Sequence, residues 1–270
     1  MNQKINRLTI CYILFLILLL LSGILDGVFS RVVYLLAAAI PTVICLFRSR
    51  EEVKRDKWLY LGIKKEGIRF TLPLIAPTIG LIMTVSFITS LLIFKLTGKE
   101  NNVNVGDSFP LAILNHALLP ALVEEILFRY LPMRLLSSHS RRATVLASAL
   151  FFSLIHQSLL SIPYAFVAGV IFMAIDLVAD SIIPSFILHF INNSISIVFI
   201  MYGASPGFTP WALGILVLLC LISLIIIAIK RREYLKMLKF AFSKGESMKF
   251  SLELTIFSTL MLFMAIINLL

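Results

Sequence analysis

Six side chains in this 270-residue sequence have the types needed for chemistry yet lie in apolar surroundings: Glu124, Glu125 and Arg129, then His156, then His189 and Asn193. A charged residue at the centre of a membrane helix costs roughly 2.5 to 3.5 kcal/mol on insertion scales, so three within six positions need mutual pairing or a wet interior site. On a helix, Glu125 and Arg129 stand four apart with the acid N-terminal, the favourable order for an ion pair, while Glu124 is turned away by about 100°. One glutamate is therefore expected to be structural and the other functional. His189 and Asn193 are also four apart and share a helix face, and Phe152 stands in the same relation to His156.

A carboxylate, two imidazoles and an amide suit hydrolysis of a peptide bond. The carboxylate accepts a proton from an attacking water, a histidine orients that water, and neutral or cationic donors stabilise the developing oxyanion. No activated serine or cysteine is required. Two imidazoles and a carboxylate could equally hold a divalent metal such as zinc, with Glu124, His156 and His189 as candidate ligands. The sequence contains no His-Glu-x-x-His, the commonest metalloprotease helix, and the spacing leaves metal-free and metal-assisted routes both open.

The segments EEILFR (Glu124, Glu125, Arg129), FSLIH (Phe152, His156) and HFINN (His189, Asn193) together resemble the ordered motifs of the CAAX-prenyl-protease and bacteriocin-processing family: Glu-Glu-x-x-x-Arg, Phe-x-x-x-His and His-x-x-x-Asn. The resemblance covers about Phe109 to Met201 and implies an intramembrane endopeptidase with a four-helix catalytic core. It implies that Glu124 and His156 activate water, that His189 and Asn193 bind the oxyanion, and that Glu125 and Arg129 orient the site. It also implies a peptide or membrane-protein substrate, in peptide maturation, bacteriocin immunity or peptide signalling. The family has been called metallopeptidase, although its better-understood members are argued to need no catalytic metal, so the cofactor stays open.

The elements that must position these groups are membrane helices. With 60% hydrophobic and 14% charged residues and a mean hydropathy of +1.00, the chain lies well outside the soluble range and is expected to be an all-α polytopic bundle of about 8 to 9 helices. Apolar runs cover 8–25, 32–47, 70–96, 109–131, 143–160, 162–178, 182–201, 209–229 and 250–270. The first is longer than a signal-peptide core and lacks a small-x-small cleavage site, which favours a retained span. Residues 1–108 are expected to supply N-terminal helices and a basic segment, 109–201 the catalytic core, and 202–270 C-terminal helices.

With the N-terminus inside, the inner connections hold 20 of the 24 basic residues, which satisfies the positive-inside rule and predicts a cytoplasmic N-terminus in the cell membrane. The same placement explains the net charge of +10 without nucleic acid, for which no aromatic-interleaved basic motif is present. The segment 48–69, which carries Trp58 and Tyr60, reads as a solvated topogenic loop, with an interfacial helix as the alternative. Cys11, Cys45 and Cys220 fall singly in separate apolar runs and are expected to pack as small apolar residues. Asp176 and Asp180, at a short inner turn, read as helix-capping or solvated, and His116 as interfacial.

Two other classes of function fit an intramembrane polar cluster. A non-catalytic scaffold or immunity protein would bind a peptide or partner in the same cavity. A proton-coupled transporter would use the acids and histidines as a relay, although no inverted repeat is evident.

Overall fold

The computed structural model describes residues 2–25, 27–48, 61–62, 72–97, 106, 108–136, 140–159, 161–202, 209–243 and 252–267. Its helices are α1 Asn2–Ser22, α2 Gly27–Arg48, α3 Ile75–Thr97, α4 Phe109–Leu136, α5 Arg141–Leu154, α6 Ile162–Ala179, α7 Ile183–Tyr202, α8 Thr209–Ile229, α9 Arg231–Ala241 and α10 Leu252–Ile267. The fold is all-α, with no strand among the described residues. Among the described residues, six helices are long and apolar enough to cross a membrane: α1, α2, α3 with the short turn before it, α4, α6 and α7. Apolar stretches Val217–Ile229 in α8 and Leu254–Ile267 in α10 are shorter. The chain is a multi-pass membrane protein. Most of the segment 48–69, with Trp58 and Tyr60, lies outside the described residues.

The expected span 143–160 is replaced by a shorter helix. Helix α5 starts on a Ser140 cap whose hydroxyl accepts the Ala143 N–H, and it ends at Leu154. Fourteen residues rise roughly 21 Å, less than the roughly 30 Å of a hydrocarbon core. Apolar composition alone concealed this end, because Ile155, Leu159 and Leu160 extend the apolar run across His156, Gln157 and Ser158, while Gln157 takes φ 48 and turns the chain. Nearly every side chain of α5 from Ala143 onward is buried by protein, so the helix has no need to match the bilayer.

Helices α5 and α6 approach closely because Gly169 has no side chain: a Cβ there would sit 2.7 Å from Ala149 Cα. Helix α1 packs on α2, on the end of α4 and on α10, while α7 packs along α4 and α6. Helix α4, which carries the acidic pair, is enclosed by α1, α2, α5 and α7. The basic connector after α8 folds as α9, which buries Met237 and Ala241 against α5 and α6. Its Phe240 ring lies 4.0 Å from the Arg141 guanidinium.

Two prolines shape α4. Pro120 and Pro132 lack the N–H that would pair with the carbonyls of His116 and Phe128, four residues earlier. In both places the helix widens into a π turn, Leu114–Leu118 and Ile126–Tyr130. In the second turn the Leu131 N–H bonds to Ile126 O, which leaves the Leu127 carbonyl without its usual partner. Two side chains from other helices satisfy the freed carbonyls. Tyr12 of α1 donates to Leu127 O at 3.0 Å, and Ser148 of α5 donates to Phe128 O. The turn joining Glu125 to Arg129 is thereby fastened on two sides.

Candidate active site

Glu125 and Arg129 form the ion pair that their spacing predicts, with Arg129 Nε 3.3 Å from Glu125 Oε2 and both side chains buried. Arg129 is held on three further sides. Its Nη1 donates to Ser148 Oγ at 3.0 Å and to Phe128 O at 3.2 Å, and its guanidinium lies 4.5 Å from the Phe152 ring and 5.6 Å from the Phe172 ring. The planar cation thus rests against aromatic faces while its donors reach oxygen, a combination that lysine does not supply.

His189, on α7, joins the two glutamates. Its Nδ1 lies 2.8 Å from Glu125 Oε1 and its Nε2 lies 3.7 Å from Glu124 Oε2. The first distance is a hydrogen bond to a carboxylate and the second is a longer electrostatic contact. Glu125 is therefore engaged at both oxygens, by His189 and by Arg129. Glu124 keeps 17% of its side chain exposed, and its Oε2 has no hydrogen-bond partner. The two adjacent carboxylates consequently occupy different environments, one paired and closed, the other partly open.

His156 follows the end of α5. Its Nδ1 lies 2.7 Å from Phe152 O, so the N–H sits on Nδ1 and the lone pair on Nε2. Phe152 links the two histidines, with ring centroids 5.0 Å from His156 and 5.6 Å from His189. Phe172 stands 6.0 Å from His189, and Tyr164 stands 6.4 Å from His156. Asn193, one turn beyond His189, is partly buried and accepts from Asn192 Nδ2 at 3.4 Å.

Four of the six expected residues, Glu124, Glu125, Arg129 and His189, meet directly. His156 joins them through Phe152, and Asn193 shares helix α7 with His189. Among the described residues, no three His, Cys, Asp or Glu side chains are grouped as a metal shell. Glu124, His156 and His189 therefore do not form a ready ligand set in this arrangement.

Residues 106–195, a third of the chain, match the family model described as type II CAAX prenyl endopeptidase Rce1-like. That segment is similar to this peptidase family. The matched region begins just before α4 and ends within α7, so it contains Glu124, Glu125, Arg129, His156, His189 and Asn193. No curated protein and no solved structure is significantly similar to the chain.

Several residues that hold this cluster in place were not legible as site residues. Tyr12, Ser148 and Phe172 carry no motif, although Pro132 signals a freed Phe128 carbonyl that some donor must satisfy. For Asp176, the solvated reading is corrected: the side chain is fully buried. The capping reading applies to the next helix, since Asp176 Oδ1 accepts the Ser185 N–H at 3.1 Å in the first turn of α7. Asp180 ends α6 with φ 51, in the left-handed region that Asp tolerates better than most residues. Cys11, Cys45 and Cys220 are free thiols, and the first two line one small cleft between α1 and α2.

Proposed function

We propose that the protein is an intramembrane endopeptidase that hydrolyses a peptide bond in a peptide or membrane-associated protein by water activated at Glu124 and His156. The observation that carries this reading is the asymmetry of the acidic pair around His189. Glu125 is engaged by Arg129 and His189 Nδ1 and is buried, whereas Glu124 keeps 17% of its side chain exposed and meets His189 Nε2 only at 3.7 Å.

In the proposed reaction, Glu124 takes a proton from the attacking water and His156 Nε2 orients that water. The new C–O bond turns the scissile carbonyl into a tetrahedral oxyanion. A protonated His189, its charge balanced by Glu125, presents Nε2–H to that oxyanion, and the Asn193 amide is a second donor. Collapse breaks the C–N bond, and Glu124 returns its proton to the leaving amine. Arg129 and Glu125 hold His189 in place. In this reading residues 109–201 form the catalytic core between flanking membrane helices, and the N-terminus faces the cytoplasm of a cell-membrane protein.

The test compares peptide termini in membranes and medium from cells carrying the wild type, Glu124→Ala or His156→Ala. Termini present with the wild type and missing with both variants are expected. Identical termini in all three strains would sink the peptidase reading and favour a binding role.

A further inference from the structure

We infer that Asp176 is a positioning residue of this site, clamping the α6–α7 hairpin so that His189 meets Glu125. The mechanism above does not use this carboxylate, yet it is fully buried in an apolar span, where an unneeded acid is costly. Its bonds account for its place. The Asp176 carbonyl accepts the Asp180 N–H and, at 3.2 Å, the Ser181 N–H, closing the end of α6. Its carboxylate Oδ1 then accepts the Ser185 N–H. One residue thus ties the last turn of α6 to the first turn of α7.

The first-turn donors of α7 show why a carboxylate is useful there. A helix start leaves four N–H groups without intrahelical partners. Ser181 Oγ accepts from Ile183, Pro184 has no N–H, and Phe186 donates to Ile182 O. Ser185 is the remaining buried donor, and Asp176 is its acceptor. Ser185, His189 and Asn193 follow one another at four-residue spacing on one face of α7. Fixing Ser185 therefore fixes the height and rotation at which His189 Nδ1 approaches Glu125 Oε1. Asp176 also lies within electrostatic range of Glu125 and Arg129, so it faces the same cluster. Its Oδ2 is buried with no hydrogen-bond partner, as expected of a group retained for the acceptor on its other oxygen.

Two readouts test this inference, and only the kinetic one rests on the peptidase reading. In full-length protein in lipid nanodiscs, the 15N signal of His189 Nδ1, identified by its loss in His189→Gln, reports the bond to Glu125. Asp176→Asn keeps an oxygen acceptor and is expected to leave that signal, and kcat, within about threefold of wild type. Asp176→Ala is expected to displace the signal and lower kcat by about 10- to 100-fold with little change in KM, the scale of a small misplacement. Should Asp176→Ala not fold, Asp176→Ser, with a shorter acceptor, takes its place and is expected to displace the signal. An unchanged His189 signal in both acceptor-weakened variants, or an Asn variant as impaired as the Ala variant, would overturn the inference. If no variant and no wild type cleaves peptide, the peptidase reading fails while the His189 signal still decides the role of Asp176.

Discussion

Ser148 Oγ supplies the hydrogen bond that Pro132 cannot: it donates, across the α4–α5 contact, to the Phe128 carbonyl that an N–H at position 132 would have engaged. A broken backbone pairing inside α4 has become a tie between two helices, one turn from the acidic pair. The relationship makes the two positions energetically dependent. Ser148→Ala is expected to cost about 1 to 2 kcal/mol, because Arg129 Nη1 still reaches the same oxygen. In a Pro132→Ala background the cost should fall by at least about 0.5 kcal/mol. Unfolding of the four proteins of this cycle in detergent checks it, and strictly additive effects would refute the dependence.

Arg129 is the buried cation on which Glu125 relies. Arg129→Ala leaves that carboxylate uncompensated and is expected to cost about 3 to 5 kcal/mol, measurable as a large fall in melting temperature. Lys at this position loses the planar contact with Phe152 and Phe172 and the Nη1 bonds to Ser148 and the Phe128 carbonyl, so it should rescue poorly. Glu125→Gln combined with Arg129→Met removes both charges and should recover stability without recovering activity. Recovery of full activity in that pair would show that the ion pair has no part in holding His189.

His156 separates a structural nitrogen from a chemical one. His156→Asn retains a donor close to Nδ1 for the Phe152 carbonyl and is expected to fold with wild-type stability while losing activity by about 10²- to 10⁴-fold, the range of a lost acid–base group. His156→Gln, which places its amide nearer Nε2, should be less stable and equally inactive. An active Asn variant would remove Nε2 from the reaction.

The close crossing of α5 and α6 can be tested away from the site. Gly169→Val introduces side-chain atoms against Ala149 and is expected to cost about 1 to 3 kcal/mol. Because Phe152 on α5 and Phe172 on α6 both rest against Arg129, activity should fall with stability. A variant as stable as the wild type would mean that the helices separate at little cost.

Much of this arrangement was legible from the sequence because it depends on periodicity. Spacing of four paired Glu125 with Arg129 and placed His189 with Asn193 on one face, and apolar run length gave most helices to within a few residues. The end of α5 was not legible, because the apolar run continues through a turn set by the backbone at Gln157. His189 bridging the two glutamates was beyond reach, since it is a contact between helices 64 residues apart. Ser148 and Tyr12 were hidden for the same reason, although Pro132 announces the Phe128 carbonyl that Ser148 satisfies. Asp176 was read from its neighbourhood in sequence, a turn, while its burial is set by how α6 packs against helices distant in sequence.

The most direct measurement follows the rate of peptide-bond cleavage by purified protein in lipid bilayers made with H₂¹⁸O, comparing wild type with Glu124→Gln, an isosteric change that removes the base and leaves the fold. Wild-type protein is expected to place one ¹⁸O in each new carboxyl terminus, and Glu124→Gln to cut that rate by about 10²- to 10⁴-fold while the His189 to Glu125 contact persists. Labelled product formed by Glu124→Gln at the wild-type rate would contradict Glu124 as the group that activates water.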